Sequence, residues 1–195
     1  MVLTDDVNRE GFRWIKLWQF FRVLSPGSKR VLTRLQKVSG IDMKTLESMT
    51  GKKYKGIIFD FDETLAPNYG QILDENFELI RELLISGLKV TIFSNMKESD
   101  RYDELKKLGV KVHKTVYPKP HAKGFLECCE MMGLNVGDVL MVGDNLMTDG
   151  GAMNVGIDFI LVEPVPTKEK FRMNRLVQKT LRRITNVNVK TRAKL

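Results

Sequence analysis

The sequence predicts an α/β fold in which a mainly parallel sheet lies between two layers of helices. Short uncharged apolar runs stand at 56–59 (GIIF), 90–93 (VTIF), 139–142 (VLMV) and 159–162 (FILV). They are too short for helices and continuous rather than alternating, the mark of strands covered on both faces. Segments with helical spacing of apolar residues separate them, and that alternation is characteristic of parallel sheets.

Taken in order, the first element is an aromatic amphipathic helix. Trp14, Leu17, Trp18, Phe21 and Leu24 recur at three- and four-residue spacing, with Arg13, Lys16 and Arg22 on other faces. Such a stripe can lie on an anionic membrane surface, on the domain itself or on a second subunit. Pro26-Gly27 ends it, and 28–52 is expected to form one or two short helices leading into the core. Between the strands, helices are expected around 75–86, 99–108, 121–132 and 148–155. Asp74 is a candidate cap for the first, and Gly87 and Gly109 are stops for the first two. VHKTVY at 112–117 is a fifth strand candidate. After Pro164 and Pro166, Thr167 can cap a helix over 168–184. That helix carries Met173, Val177, Leu181 and Ile184 on one side and Arg172, Arg175, Lys179, Arg182 and Arg183 elsewhere. Residues 185–195 are expected to fray.

A chain of 195 residues buries roughly two thirds of its unfolded surface, enough for one substantial core. Its net charge of +8 is unevenly spread. Residues 1–52 carry 10 basic and 5 acidic side chains, residues 53–166 carry 12 and 18, and residues 167–195 carry 10 and 1. Two basic ends therefore flank an acidic block. They suit anionic partners such as lipid headgroups or nucleic acid, or simply a solvated face that keeps the protein soluble. The two cysteines, Cys128 and Cys129, are adjacent in an expected helix. They fit neither a disulfide framework nor a metal knuckle, so a reducing, cytoplasmic setting is expected. No stretch of 18 apolar residues is present, and Lys16, Gln19 and Arg22 interrupt the run that a secretory signal would need.

The chemistry concentrates at strand ends. Asp60 follows GIIF, Asp62 stands two residues on, and Thr64 adds a hydroxyl. About eighty residues later a second acidic group, Asp144 and Asp149 in GDNLMTD, follows VLMV. Hydrolysis of a phosphomonoester needs an in-line nucleophile, a proton donor for the leaving oxygen and positive charge around the phosphoryl group. Asp60 suits the nucleophile, passing through an aspartyl-phosphate, and Asp62 the acid and base. A carboxylate-rich site favours Mg²⁺, with Asp60, Asp62, Asp144 and Asp149 as its candidate ligand residues. Gly143, Gly150 and Gly151 let the backbone turn closely there. Ser94 and Asn95 close VTIF and are candidates for holding a phosphoryl oxygen. Lys119, before Pro120 and a helix, can neutralise the dianion and orient Asp60. Taken alone, Lys119 reads more readily as one more surface lysine, and an Asp-rich turn reads as capping.

In order and content these segments resemble the haloacid-dehalogenase superfamily of phosphatases. The matching elements are Asp60-Phe61-Asp62-Glu63-Thr64, Ser94, Lys119 and Gly143-Asp144-Asn145-Leu146-Met147-Thr148-Asp149. The resemblance covers about 54–163. It implies a Rossmann-like three-layer sandwich, nucleophile Asp60, acid/base Asp62, phosphate-binding Ser94 and Lys119, and magnesium-binding Asp144. It also implies that the main-chain carbonyl at Asp62 binds the ion, and that Asp149 does so directly or through water. GDNLMTDGGAMNVGIDFILVEPV, YPKP and the basic FRMNRLVQKTLRRI segment resemble subgroup IIIA phosphatases of the YqeG and phosphatidylglycerophosphate phosphatase type, in which Asn commonly stands at the Glu63 position. The expected organisation is an N-terminal helical extension over 1–52, a catalytic core over 53–166, and a basic C-terminal helix and tail over 167–195 within the same domain.

Spacing adds that there is no cap domain. Positions 66–94 hold one loop, one helix and one strand, and the interval from Lys119 to Gly143 holds one helix and one strand. An open site admits a bulky phosphomonoester, at an anionic membrane surface or in solution. The alternatives to phosphatidylglycerophosphate are nucleotides, sugar phosphates and nucleic-acid ends. A non-catalytic module binding RNA or membrane is a further alternative. Oligomeric state is not legible.

Overall fold

A computed structural model describes residues 31–96, 100–167, 180, 183–184 and 191–192. The aromatic segment over 14–24 and most of 168–190 lie outside the described residues. Six strands form one parallel sheet: β1 (Thr33–Leu35), β2 (Gly56–Phe59), β3 (Lys89–Ile92), β4 (Lys111–Val112), β5 (Val139–Gly143) and β6 (Asp158–Val162). Their spatial order is β1-β6-β5-β2-β3-β4, and every pairing is parallel. The helices are α1 (Met43–Thr50), α2 (Asp74–Ile85), α3 (Asp103–Lys107) and α4 (Ala122–Met132), with a single longer 3₁₀ segment at Asp149–Val155.

Alternation along the central strands sorts side chains onto two apolar faces, as a strand's two-residue period requires. Ile57, Phe59, Leu140, Val142, Ile160 and Val162 join one core with Leu46 of α1, Ile80 and Leu83 of α2 and Leu105 of α3. Ile58, Val139, Met141, Phe159 and Leu161 join the other with Phe125, Cys128 and Met132 of α4 and Ala152 and Met153 of the 3₁₀ segment. The result is an α/β, Rossmann-like three-layer sandwich. Among the described residues no domain is inserted as a cap.

The order of strands decides where chemistry can sit. From β2 the chain moves outward through β3 to β4, then returns to the other side of β2 as β5 and continues to β6. The crevice past the carboxyl ends of β2 and β5 is therefore the topological switch point, the usual ligand position in open α/β sheets. Asp60 follows β2 and Asp144 follows β5; Asp60 N–H donates to Val142 O at 2.9 Å, carrying the ladder to the rim.

Several local expectations are corrected. The stretch 28–52 is not helical throughout. Thr33–Leu35 is an edge strand against β6, with a 3₁₀ turn and α1 behind it. Asp42 caps α1, accepting from Lys44 N–H at 3.0 Å and Thr45 Oγ1 at 2.5 Å. Asp74 is the first residue of α2 rather than its cap; Leu73 occupies that position without a side-chain bond, leaving Asp74 and Glu75 in the acidic first turn that a helix N-terminus favours. Of the 112–117 candidate only Val112 is in a strand, β4, which begins one residue earlier at Lys111; beyond Val112 the chain turns toward Pro118 and the site. Finally, the tail is not wholly unpaired. Thr191 bridges Val31, and Arg192 N–H donates to Val31 O at 2.9 Å.

That last contact completes a buried polar group at the amino end of β6. Asp158 is buried and accepts from Tyr54 Oη at 2.7 Å, Lys52 Nζ at 2.8 Å and the Arg192 guanidinium. Burial alone would raise its carboxyl, but the bonds from Lys52, Arg192 and Tyr54 outweigh that and hold it below the ordinary value of 3.8. The Tyr54 hydroxyl is pushed upward, by burial first and by Asp158 second. Because the folded value is depressed, the stabilisation is fully present above pH 3.8 and is lost as pH falls through the lower, folded value. Asp158→Asn is expected to lower stability by about 1–3 kcal/mol at neutral pH, an amount typical of hydrogen bonds to a buried charge. The deficit should shrink when urea unfolding is repeated at pH values stepping down from 3.8, as the wild-type carboxylate protonates too.

Candidate active site

Three carboxylates meet at the switch point. One oxygen each from Asp60, Asp144 and Asp149 lie within 4.8 Å of one another, and all three residues are buried. Lys119, 3% exposed, enters from the loop before α4. Its Nζ stands 2.7 Å from Asp60 Oδ1 and 2.6 Å from Asp149 Oδ1. The surface-lysine reading is thereby overturned.

The charges do not balance. Three carboxylates share one ammonium in a desolvated place. Burial pushes the Asp60 carboxyl well above the usual range; Lys119 opposes the shift, and Asp149 and Asp144 add to it. Burial would depress Lys119, yet Asp149 and Asp60 together raise it, so it stays an ammonium. A hard divalent cation fits this donor set, which offers only oxygen and carries surplus negative charge.

Each acid has its own support. Asp60 Oδ1 also accepts from Phe61 N–H at 2.8 Å. Thr64 Oγ1 donates to Asp144 Oδ1 at 3.2 Å and accepts from Asp144 N–H at 3.1 Å, so the hydroxyl after β2 is spent on the acid after β5. Both oxygens of Asp149 are occupied, Oδ1 by Lys119 and Thr148 Oγ1 and Oδ2 by Asn145 N–H at 3.0 Å. Asp149 lies close against β5 because Gly143 has no side chain. A Cβ there would stand 2.3 Å from Asp149 Oδ2. Gly151 plays the same part for the lysine loop, since its Cβ would meet Pro120 O at 2.5 Å.

Two candidate contributors have further partners. The side chain of Asn95, whose backbone N–H is a candidate for a phosphoryl oxygen, is committed to Lys119. Its Oδ1 accepts from Lys119 N–H at 2.8 Å and its Nδ2 donates to Lys119 O at 3.1 Å. It therefore fixes the lysine's backbone. The Asp62 carboxylate is not one of the cluster of three. Instead, Asp62 is gripped by Arg101, with Nη1 to Oδ1 at 2.8 Å and Nη2 to Oδ2 at 3.2 Å. Tyr69 N–H donates to Oδ1 at 3.0 Å, and Ser94 Oγ lies 3.5 Å from Oδ2. Ser94 Oγ also accepts from Met96 N–H at 3.1 Å.

Arg101 is the residue that sequence reasoning missed. One arginine in a polar segment has no spacing signature. The loop between Asp62 and α2 is equally specific. Glu63 has φ +61°, its N–H donates to Ala66 O at 2.8 Å, and its carbonyl accepts from Val165 N–H at 2.7 Å. Asn tolerates that left-handed conformation better than Glu, so Glu63 carries a backbone cost here.

Comparison with known proteins gives three findings. Residues 71–155 match the family model described as haloacid dehalogenase-like hydrolase. The chain is 37% identical over 146 residues to the "Probable phosphatase YqeG" of Bacillus subtilis (strain 168), a match spanning 70% of this chain and 81% of that one. Among solved structures, an uncharacterized protein from Listeria monocytogenes serotype 4b aligns with TM-score 0.47 at 20% identity, covering 60% of this chain and 85% of that chain. A putative HAD family hydrolase from Streptomyces avermitilis MA-4680 aligns with TM-score 0.46 at 19% identity, covering 56% and 71%.

Gly143→Ala tests the packing of the cluster. The added methyl must displace the Asp149 carboxylate, and with it the contact to Lys119. Thermal unfolding should show a loss of about 1–3 kcal/mol, typical of an overpacked site. Calorimetric titration with a divalent cation should show affinity weakened by about tenfold or more, as expected when a supporting contact of a metal site is lost.

Proposed function

This chain belongs to the haloacid dehalogenase-like hydrolases and is a phosphatase, and from that premise we propose Mg²⁺-dependent hydrolysis of phosphatidylglycerophosphate at a membrane surface. The observation that carries the reaction is the meeting of Asp60, Asp144, Asp149 and Lys119 at the switch point. Asp60 is the nucleophile. Its carboxylate oxygen forms a bond to phosphorus as the ester P–O bond breaks, and Asp62 gives its proton to the departing oxygen. Asp62 then takes a proton from water, whose oxygen bonds to phosphorus and releases phosphate from the aspartyl-phosphate. Lys119, held by Asn95, orients Asp60 and offsets the charge of the dianion, while Ser94 and the adjacent N–H groups hold a phosphoryl oxygen. Mg²⁺, held by Asp60, Asp144, the Asp62 carbonyl and Asp149 directly or through water, supplies Lewis-acid neutralisation of the phosphoryl oxygens when bound.

The lipid substrate is supported by three features. The segments GDNLMTDGGAMNVGIDFILVEPV and FRMNRLVQKTLRRI resemble subgroup IIIA phosphatases of the YqeG and phosphatidylglycerophosphate phosphatase type. No cap is inserted among the described residues, so the phosphate of a bulky molecule can reach the rim while its chains stay outside. The basic flanking segments complement an anionic bilayer, which supports a peripheral position on its cytoplasmic face. No helix among the described residues is long and apolar enough to cross a membrane.

The test is phosphate release from vesicles containing phosphatidylglycerophosphate, beside a panel of nucleotides, sugar phosphates and 5′-phosphorylated oligonucleotides at equal concentration. Vesicle turnover should exceed the soluble panel, require Mg²⁺ and disappear in Asp60→Asn. A soluble ester hydrolysed faster than the lipid would replace the substrate, and turnover surviving in Asp60→Asn would remove the nucleophile. Deleting residues 1–27 should lower activity on vesicles and spare that on soluble esters if the aromatic segment is the membrane contact.

A further inference from the structure

We propose that Arg101 is a positioning residue for proton transfer, acting through Asp62. The proposal rests on the reading of Asp62 as acid and base. Three features of the geometry support it.

First, the guanidinium takes both oxygens of one carboxylate, 2.8 Å and 3.2 Å away. A planar fork on a planar carboxylate fixes its rotation as well as its place, which a lysine ammonium cannot do. Second, Arg101 is itself seated. Its side chain is 10% exposed, lies 5.1 Å from the Phe61 ring centroid and 5.6 Å from that of Tyr102, and donates to Gly70 O at 3.3 Å. The Phe61 and Tyr102 rings pack edge to face with centroids 4.6 Å apart. The phenylalanine between the two acids therefore serves as the platform for the arginine. Third, the cations are divided. Lys119 contacts Asp60 and Asp149, whereas Arg101 contacts Asp62. A buried ion pair is weak evidence of stability, because desolvation opposes the attraction, so orientation of the acid is the better account of this one.

Arg101 therefore matters most when the departing oxygen needs a proton. In that step the Asp62 proton passes to the ester oxygen as the P–O bond breaks and the Asp60–phosphorus bond forms. A phenolate leaves poorly without the proton; a nitrophenolate leaves well. Phenyl phosphate and p-nitrophenyl phosphate have similar shape and the same dianion, so their comparison isolates this step.

Single-turnover release of phenol and nitrophenol should be measured for wild type, Asp62→Asn, Arg101→Gln and Arg101→Lys with Mg²⁺ present. Arg101→Gln is expected to slow phenyl phosphate by about tenfold or more, part of the ~10²–10⁴ that a placed proton donor contributes. Its effect on p-nitrophenyl phosphate should stay within about threefold, and Arg101→Lys should fall between wild type and Arg101→Gln for phenyl phosphate. Mg²⁺ affinity and thermal midpoint, measured on the same samples, should change little in Arg101→Lys, which carries the test if Arg101→Gln folds poorly. Equal losses on both esters, or a rise in KM for both without a change in kcat, would mean that Arg101 binds phosphate or only supports the fold, and would overturn the proposal. If Asp62→Asn itself fails to discriminate the esters, the acid/base reading falls as well, a result distinct from failure of the arginine variants alone.

Discussion

The protein's site depends on one buried ammonium placed between two buried carboxylates. Lys119 cannot be desolvated without Asp60 and Asp149, and those acids cannot stand together without it. Most of the local architecture is arranged to keep that contact. Asn95 reads both polar groups of the Lys119 backbone, Gly143 leaves room for Asp149, and Gly151 leaves room for Pro120 beside the lysine. Thr64 ties the remaining acid, Asp144, back to the loop that follows the nucleophile. These supports come from segments far apart in the chain, so the site is a product of tertiary packing rather than of any single loop.

The parallel sheet makes the assembly possible. Every strand delivers its carboxyl end to the same rim, and the reversal of strand order between β2 and β5 opens a crevice there. Apolar packing on both faces holds the strands in register. The amino end of β6 has a different character. There Asp158 gathers Tyr54, Lys52 and Arg192, joining the chain before β2 to its far end. The acid cluster and the structural anchor thus occupy opposite ends of the same layer.

The central strands and the clustered acids were legible because their signals are local. GIIF, VLMV and FILV are apolar runs with acids or glycines at fixed offsets, and the matching order of Asp60, Lys119 and Asp144 made their meeting an expectation. β1 was not legible. It is three residues long, includes Arg34, and is a strand only because β6 offers it an edge. The 112–117 region misled in the opposite direction. Its β-branched residues look strand-like, yet only Val112 pairs with β3, and the chain then turns to bring Lys119 to the site. Arg101 and the inward use of Asn95 depend on partners many residues away, and sequence patterning alone does not report such contacts. Asp158 hid for the same reason, being one acid at the start of a predicted strand.

The brevity of the two outer strands has a consequence for the protein's life among other proteins. β4 offers two residues and begins with a lysine, and the flank of β1 is met at Val31 by Thr191 from the chain's own end. An open parallel sheet is a template on which foreign strands can assemble, and long flat margins are where fibrillar association begins. Among the described residues both margins are short, three residues at β1 and two at β4, which limits the unpaired backbone they offer to such growth. The broad hydrophobic interior can therefore be maintained without making the molecule adhesive at its borders.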